Sequence, residues 1–103
     1  MSKRLAFLEK LTRGGSADPF AWYGLALEYR NLDRNDEALA TFRTLRAQAP
    51  DYVPMYLMCG QLLEKMGQKD DAREWLETGI AAAKAKGDSH AESELESARD
   101  ALT

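Results

Sequence analysis

The stretch Trp22-Tyr23-Gly24-Leu25-Ala26-Leu27-Glu28-Tyr29, followed by Ala38-x3-Phe42 and then Pro50, decides how this chain folds. Trp22, Leu25, Ala26 and Tyr29 are spaced three, one and three apart, which puts them on one face of a helix. Asp18 before Pro19 supplies the start: a side-chain cap, then a residue whose missing N–H costs nothing in a first turn. Asn31-Leu32-Asp33-Arg34-Asn35 is polar and turn-prone, and Asn35 is expected to cap a second helix carrying Ala38, Phe42 and Leu45. Pro50 and Asp51 close the unit.

Sliding the sequence against itself by 34 residues lays Trp22 on Tyr56, Ala26 on Gly60, Asp36 on Asp70, Glu37 on Asp71, Ala38 on Ala72 and Phe42 on Leu76. Large apolar residues meet large ones and small meet small, as in a stacked-repeat architecture. Gly67 takes the turn position of the second unit, where a positive φ is easy for glycine. Small residues at 26, 38, 60 and 72 let paired helices approach closely. The flanks look like half repeats. Leu5, Leu8 and Leu11 sit among charges before Gly14-Gly15-Ser16 breaks the helix, and Leu8 and Leu11 precede Phe42 and Leu45 by the same 34 residues. Ala91, Leu95, Ala98 and Leu102 form a narrow apolar stripe on a charged terminal helix, as the open end of a stack requires.

The pattern Trp22-x2-Leu25-Ala26-x2-Tyr29, Ala38-x3-Phe42, Pro50 resembles the tetratricopeptide repeat closely, and Tyr56-x2-Cys59-Gly60-x2-Leu63, Ala72-x3-Leu76 resembles it more loosely, with Lys84 in place of the proline. The two units cover residues 19–86. The resemblance implies an all-α fold: a short right-handed superhelix of antiparallel helix pairs, about six helices in all. One domain, 1–103, would then comprise an N-terminal half-repeat helix (1–16), repeats at 19–52 and 53–86, and a C-terminal capping helix (87–103). A start at Met1 and a capping helix at the end read as a complete chain.

Charge and composition narrow the function classes. Net charge is −3, short of the basic surplus that phosphate tracking needs, so no nucleic-acid partner is expected. The charge is divided unevenly: residues 1–50 hold 8 basic and 6 acidic side chains (net +2), residues 51–103 hold 6 and 11 (net −5). Neither a signal peptide nor the run of about 20 apolar residues that a membrane span needs occurs, which points to a cytoplasmic protein without a membrane partner. The single cysteine, Cys59, allows no intramolecular disulfide, and it falls on a packed helix face where an inert thiol fits. His90, at the start of the terminal helix, stands 31 residues away, so no metal set forms. Asp36-Glu37 and Asp70-Asp71 suit the positive ends of second helices rather than acid–base chemistry. The expectation is a protein without catalysis, metal or cofactor.

In the family it resembles, first helices line a concave groove whose non-core face meets a ligand. By register those positions are Phe20, Tyr23, Leu27 and Arg30, then Leu57, Gln61 and Glu64, with Ala91 and Leu95 from the terminal helix. Some members place Lys, Arg and Asn there to clamp a chaperone peptide's carboxylate. Tyr23, Leu27, Leu57 and Gln61 stand at those positions here, so chaperone-tail binding is disfavoured. The resemblance implies a protein–protein interaction scaffold that takes a peptide or helix of a partner on an apolar, aromatic stripe. The alternative is structural self-assembly, as a homodimer or a head-to-tail stack. Both pairings rest on the small residues: Ala38→Leu or Ala72→Leu is expected to overpack the crossing by about 1–3 kcal/mol, and an unchanged thermal midpoint would count against the assigned pairs.

Overall fold

A computed structural model describes residues 2–15 and 18–102. Helix follows helix along it: α1 (Lys3–Arg13), α2 (Pro19–Asn31), α3 (Asn35–Gln48), α4 (Pro54–Lys65), α5 (Lys69–Lys86) and α6 (Ser89–Asp100). No strand occurs among the described residues, so the fold is all-α. Ser16 of the Gly-Gly-Ser break lies outside the described residues, as do Met1, Ala17 and Thr103. The helices pack as two compact units, Met1–Ala49 and Pro50–Thr103.

In the N-terminal unit the Asp18 carboxylate accepts the Phe20 N–H at 3.0 Å, and Pro19 occupies the first turn of α2, as their chemistry dictates. Ser2 caps α1 in the same way, its Oγ accepting the Leu5 N–H at 3.1 Å. Leu5 and Leu8 of α1 and Leu25, Ala26 and Tyr29 of α2 are buried, as are Ala38, Leu39, Phe42 and Leu45 of α3. Leu8 reaches α2 at Gly24, where an added Cβ would lie 3.4 Å from Leu8 Cδ2. Leu11, expected in the core, is instead 40% exposed. Its place is taken by Thr12, buried with its hydroxyl donating to the Leu8 carbonyl at 3.0 Å. On the helix, Leu11 points beside Phe7, while Leu5, Leu8 and Thr12 form the line that is buried.

Two of the inter-helix turns, α2–α3 and α4–α5, repeat each other in backbone rather than in sequence. Asp33 has φ 59° and Gly67 φ 80°; the next N–H donates back across the turn, Arg34 to the Tyr29 carbonyl at 2.9 Å and Gln68 to that of Leu63 at 2.8 Å. This closure overrides the expected Asn35 cap. Arg34 is the N-cap of α3, without a side-chain cap bond, and the Asn35 Oδ1 is buried with no hydrogen bond from the described residues. Asp36 and Glu37, and Asp70 and Asp71, occupy the first turns of α3 and α5, where the helix dipole favours negative charge.

In the C-terminal unit Tyr56, Cys59, Gly60 and Leu63 of α4 face Ala72, Trp75, Leu76, Gly79 and Ile80 of α5, all buried. The Tyr56 hydroxyl donates to the Pro50 carbonyl at 2.5 Å, and its ring meets Trp75 at 5.7 Å between centroids. Pro50 and Lys84 correspond by register, and the helices differ accordingly: α3 stops at Gln48, short of the proline, whereas α5 runs on to Lys86 and ends at Gly87 with φ 69°. Leu95 of α6 is 1% exposed and Leu102 is also buried; the Leu102 carbonyl accepts from Arg73 at 3.3 Å.

Glycine is used here for approach. A Cβ on Gly60 would meet Leu76 Cδ2 at 2.6 Å, and one on Gly79 would meet Tyr56 Cβ at 2.5 Å and Leu95 Cδ2 at 3.1 Å. Leu76 can swing its far end aside; the Tyr56 Cβ is fixed to the α4 backbone. An alanine gains up to about 1 kcal/mol of helix propensity over glycine, against about 1–3 kcal/mol for overpacking. Thermal unfolding should therefore rank the variants Gly24→Ala, Gly60→Ala, Gly79→Ala in falling stability, with Gly79→Ala below the unmodified protein. A Gly79→Ala midpoint at or above it would contradict the packing.

Candidate functional site

The residues singled out by register occupy one face of α2 and one of α4. On α2, Phe20 is 69% exposed in the first turn, and Tyr23, Leu27 and Arg30 are half-buried behind it. Burial pushes the Tyr23 phenol up from its ordinary range, with Arg30 drawing it partly back. On α4, Leu57 is half-buried, while Gln61 and Glu64 are exposed.

Leu57 and Gln61 line an open cleft of about 500 Å³ whose other wall is α6: His90, Ser93, Glu94, Ser97 and Ala98. Glu64 is not part of its lining. The wall is half polar, and His90 Nε2 lies 3.2 Å from Glu94 Oε1 on its rim, with the imidazole 88% exposed. The α6 contribution differs from the register expectation. Leu95 corresponds to the exposed Gln61, yet it is buried against Gly79 on α5. The apolar stripe Ala91, Leu95, Ala98, Leu102 turns α6 toward the core, so the polar residues between those positions face the cleft. The signal that would have found His90, Ser93, Glu94 and Ser97 is that stripe, which fixes the outward face by difference.

A smaller cleft of about 180 Å³ lies between α1 and α2, lined by Glu9, Thr12, Arg13, Trp22, Leu25 and Tyr29. Trp22 is half-buried there, unlike its fully buried counterpart Tyr56. The Tyr29 hydroxyl donates to Glu9 Oε2 at 2.6 Å, and the Arg34 guanidinium lies over the Tyr29 ring, 4.9 Å from its centroid. Arg34 in turn forks onto Glu37 at 2.6 and 2.7 Å, which holds the Glu37 carboxyl below its usual range. Burial first, then the hydrogen bond to Glu9, pushes the Tyr29 phenol up to about 12. Among the described residues no three His, Cys, Asp or Glu side chains gather to hold a metal ion, and no helix is long and apolar enough to cross a membrane.

Comparison with known proteins agrees with this geometry. A family model described as tetratricopeptide repeat matches residues 29–93. A tetratricopeptide repeat domain protein from Salinibacter ruber, solved in solution, is 39% identical over 80% of this chain and 83% of its own, with a TM-score of 0.77. Its crystal structure gives 39% identity, the same 80% of this chain, 92% of its own and a TM-score of 0.76. A solution structure from Bordetella parapertussis is 26% identical and covers 99% of this chain and 89% of its own, with a TM-score of 0.83. No curated protein matches. The chain belongs to the tetratricopeptide repeat family. Repeats of this family generally serve as protein–protein interaction scaffolds and generally lack catalysis.

The Tyr29–Glu9 contact has a measurable sign. The folded phenol ionises above its unfolded value of about 10, so its contribution to stability is complete below pH 10 and is lost as pH rises toward 12. Tyrosine Cζ shifts followed by NMR should show Tyr29 neutral at a pH where a solvated phenol has ionised. Glu9→Gln should bring its midpoint down, and an unmoved midpoint would remove Glu9 as a cause.

Proposed function

We propose that the protein is a non-catalytic interaction module that takes a peptide or helix from a partner protein, with the α4–α6 cleft as the contact surface of its C-terminal unit. The observation that carries this reading is the cleft itself. It places Leu57 and Gln61, chosen from sequence as partner contacts, beside an α6 wall that mixes carboxylate, imidazole, hydroxyl and methyl groups. Such a wall gives a bound segment apolar area at Leu57 and Ala98 and directional partners at Gln61, Ser93, Glu94 and Ser97. Glu64 on α4, and Phe20, Tyr23, Leu27 and Arg30 on α2, are proposed as further contacts, each within its own unit. Phe20 is the residue with most apolar area to offer.

The test uses the immobilised protein and variants that change the cleft without touching the core. Leu57→Asp and Gln61→Lys should each lose proteins that the unmodified chain captures from a cell lysate, while circular dichroism and the thermal midpoint stay close to the original. If both variants retain every captured protein, the cleft is not the contact surface.

A further inference from the structure

Phe7 and Leu11 stand one turn apart on α1, 62% and 40% exposed. With Lys10, Gly14 and Gly15 they line a mostly apolar cleft of about 500 Å³ in the N-terminal unit. The internal repeat says what this face is built to meet. Stepping by 34 residues carries Phe7 to Thr41 and Trp75, and Leu11 to Leu45 and Gly79. Those four residues are all buried. In the C-terminal unit the cover is a neighbouring helix: Tyr56 of α4 lies 5.7 Å from the Trp75 ring, and its Cβ would be 2.5 Å from a Cβ on Gly79. The same face is covered on α5 by a packed helix and left open on α1 among the described residues.

We infer that the Phe7–Leu11 face of α1 docks an amphipathic helix of a partner protein whose apolar stripe is rimmed by acidic side chains. The charge of the occupant follows from the rim. α1 carries Lys3, Arg4, Lys10 and Arg13 against Glu9, a net charge of +3. Lys3 and Lys10 flank the patch on one side by helix geometry, and Arg4 on the other. Arg4 lies 3.3 Å from Glu28 and remains 70% exposed. A second copy fits poorly. Two α1 helices would set like charges together, and α6 offers His90, Ser93, Glu94 and Ser97 instead of an apolar stripe. This docking does not rest on the α4–α6 cleft and can stand or fall apart from it.

The probe is a short helical peptide with leucine and alanine along one face and glutamate on the rest, compared with its counterpart carrying lysine for each glutamate. Both are titrated into the full chain by fluorescence anisotropy. The glutamate peptide should bind the more tightly, with a preference that shrinks as salt rises. Phe7→Ser combined with Leu11→Ser should weaken it about tenfold or more, and Lys10→Glu, which keeps the apolar patch, should narrow or reverse the preference. Leu57→Asp should leave its affinity unchanged. Equal affinity of the two peptides, or full binding by the Phe7→Ser, Leu11→Ser variant, overturns the inference. So does light scattering that shows a dimer which this variant converts to a monomer, because the face would then belong to a second copy.

Discussion

At Gly79 the side chains of two helices converge on the backbone of a third. Tyr56 arrives from α4 and leaves no room for a methyl group on α5, and Leu95 arrives from α6 close enough that it would have to give way by a few tenths of an ångström. Much of the C-terminal unit follows from that convergence. It seats Tyr56 deeply enough to meet Trp75 and to reach the Pro50 carbonyl, and it draws Leu95 out of solvent. With Leu95 held down, α6 turns mainly its polar side outward, and the cleft beside Leu57 and Gln61 takes its chemistry from that side and from Ala98 at its edge. Close packing at one glycine therefore selects the groups that another helix exposes beside the cleft.

The repeat was legible because its signal is one of size. Trp22 over Tyr56, Ala26 over Gly60 and Ala38 over Ala72 preserve large and small classes, and close helix pairing depends on those classes. Turn chemistry was less legible. Asp33 adopts the left-handed conformation that Gly67 holds in the next unit, and the backbone closure it permits displaces the cap that Asn35 suggested. Leu11 misled because identity of residue type with Leu45 does not guarantee a neighbouring helix to cover it. The lining of the candidate cleft was half readable for a related reason: register singled out Leu57 and Gln61, which line it, but α6 follows its own apolar stripe rather than the register of α2 and α4.

The two units differ in the chemistry they expose. α1 combines an apolar pair with a basic rim, while the walls of the α4–α6 cleft are half polar and bear a carboxylate. In the N-terminal unit, Glu9, Tyr29, Arg34 and Glu37 form a chain of contacts running from α1 through α2 into α3. That chain ties α1 to α2 by a polar contact next to the Leu8–Gly24 approach, so the position of the Phe7–Leu11 face is set by both packing and hydrogen bonding.

Cys59 sits fully enclosed on the packed face of α4, and it is the chain's only sulfhydryl. No oxidant reaches it while that helix stays packed, and no second cysteine exists with which it could close a bridge within the chain. The folded chain thus closes no disulfide of its own in a reducing or an oxidising compartment alike, and its one thiol carries no address.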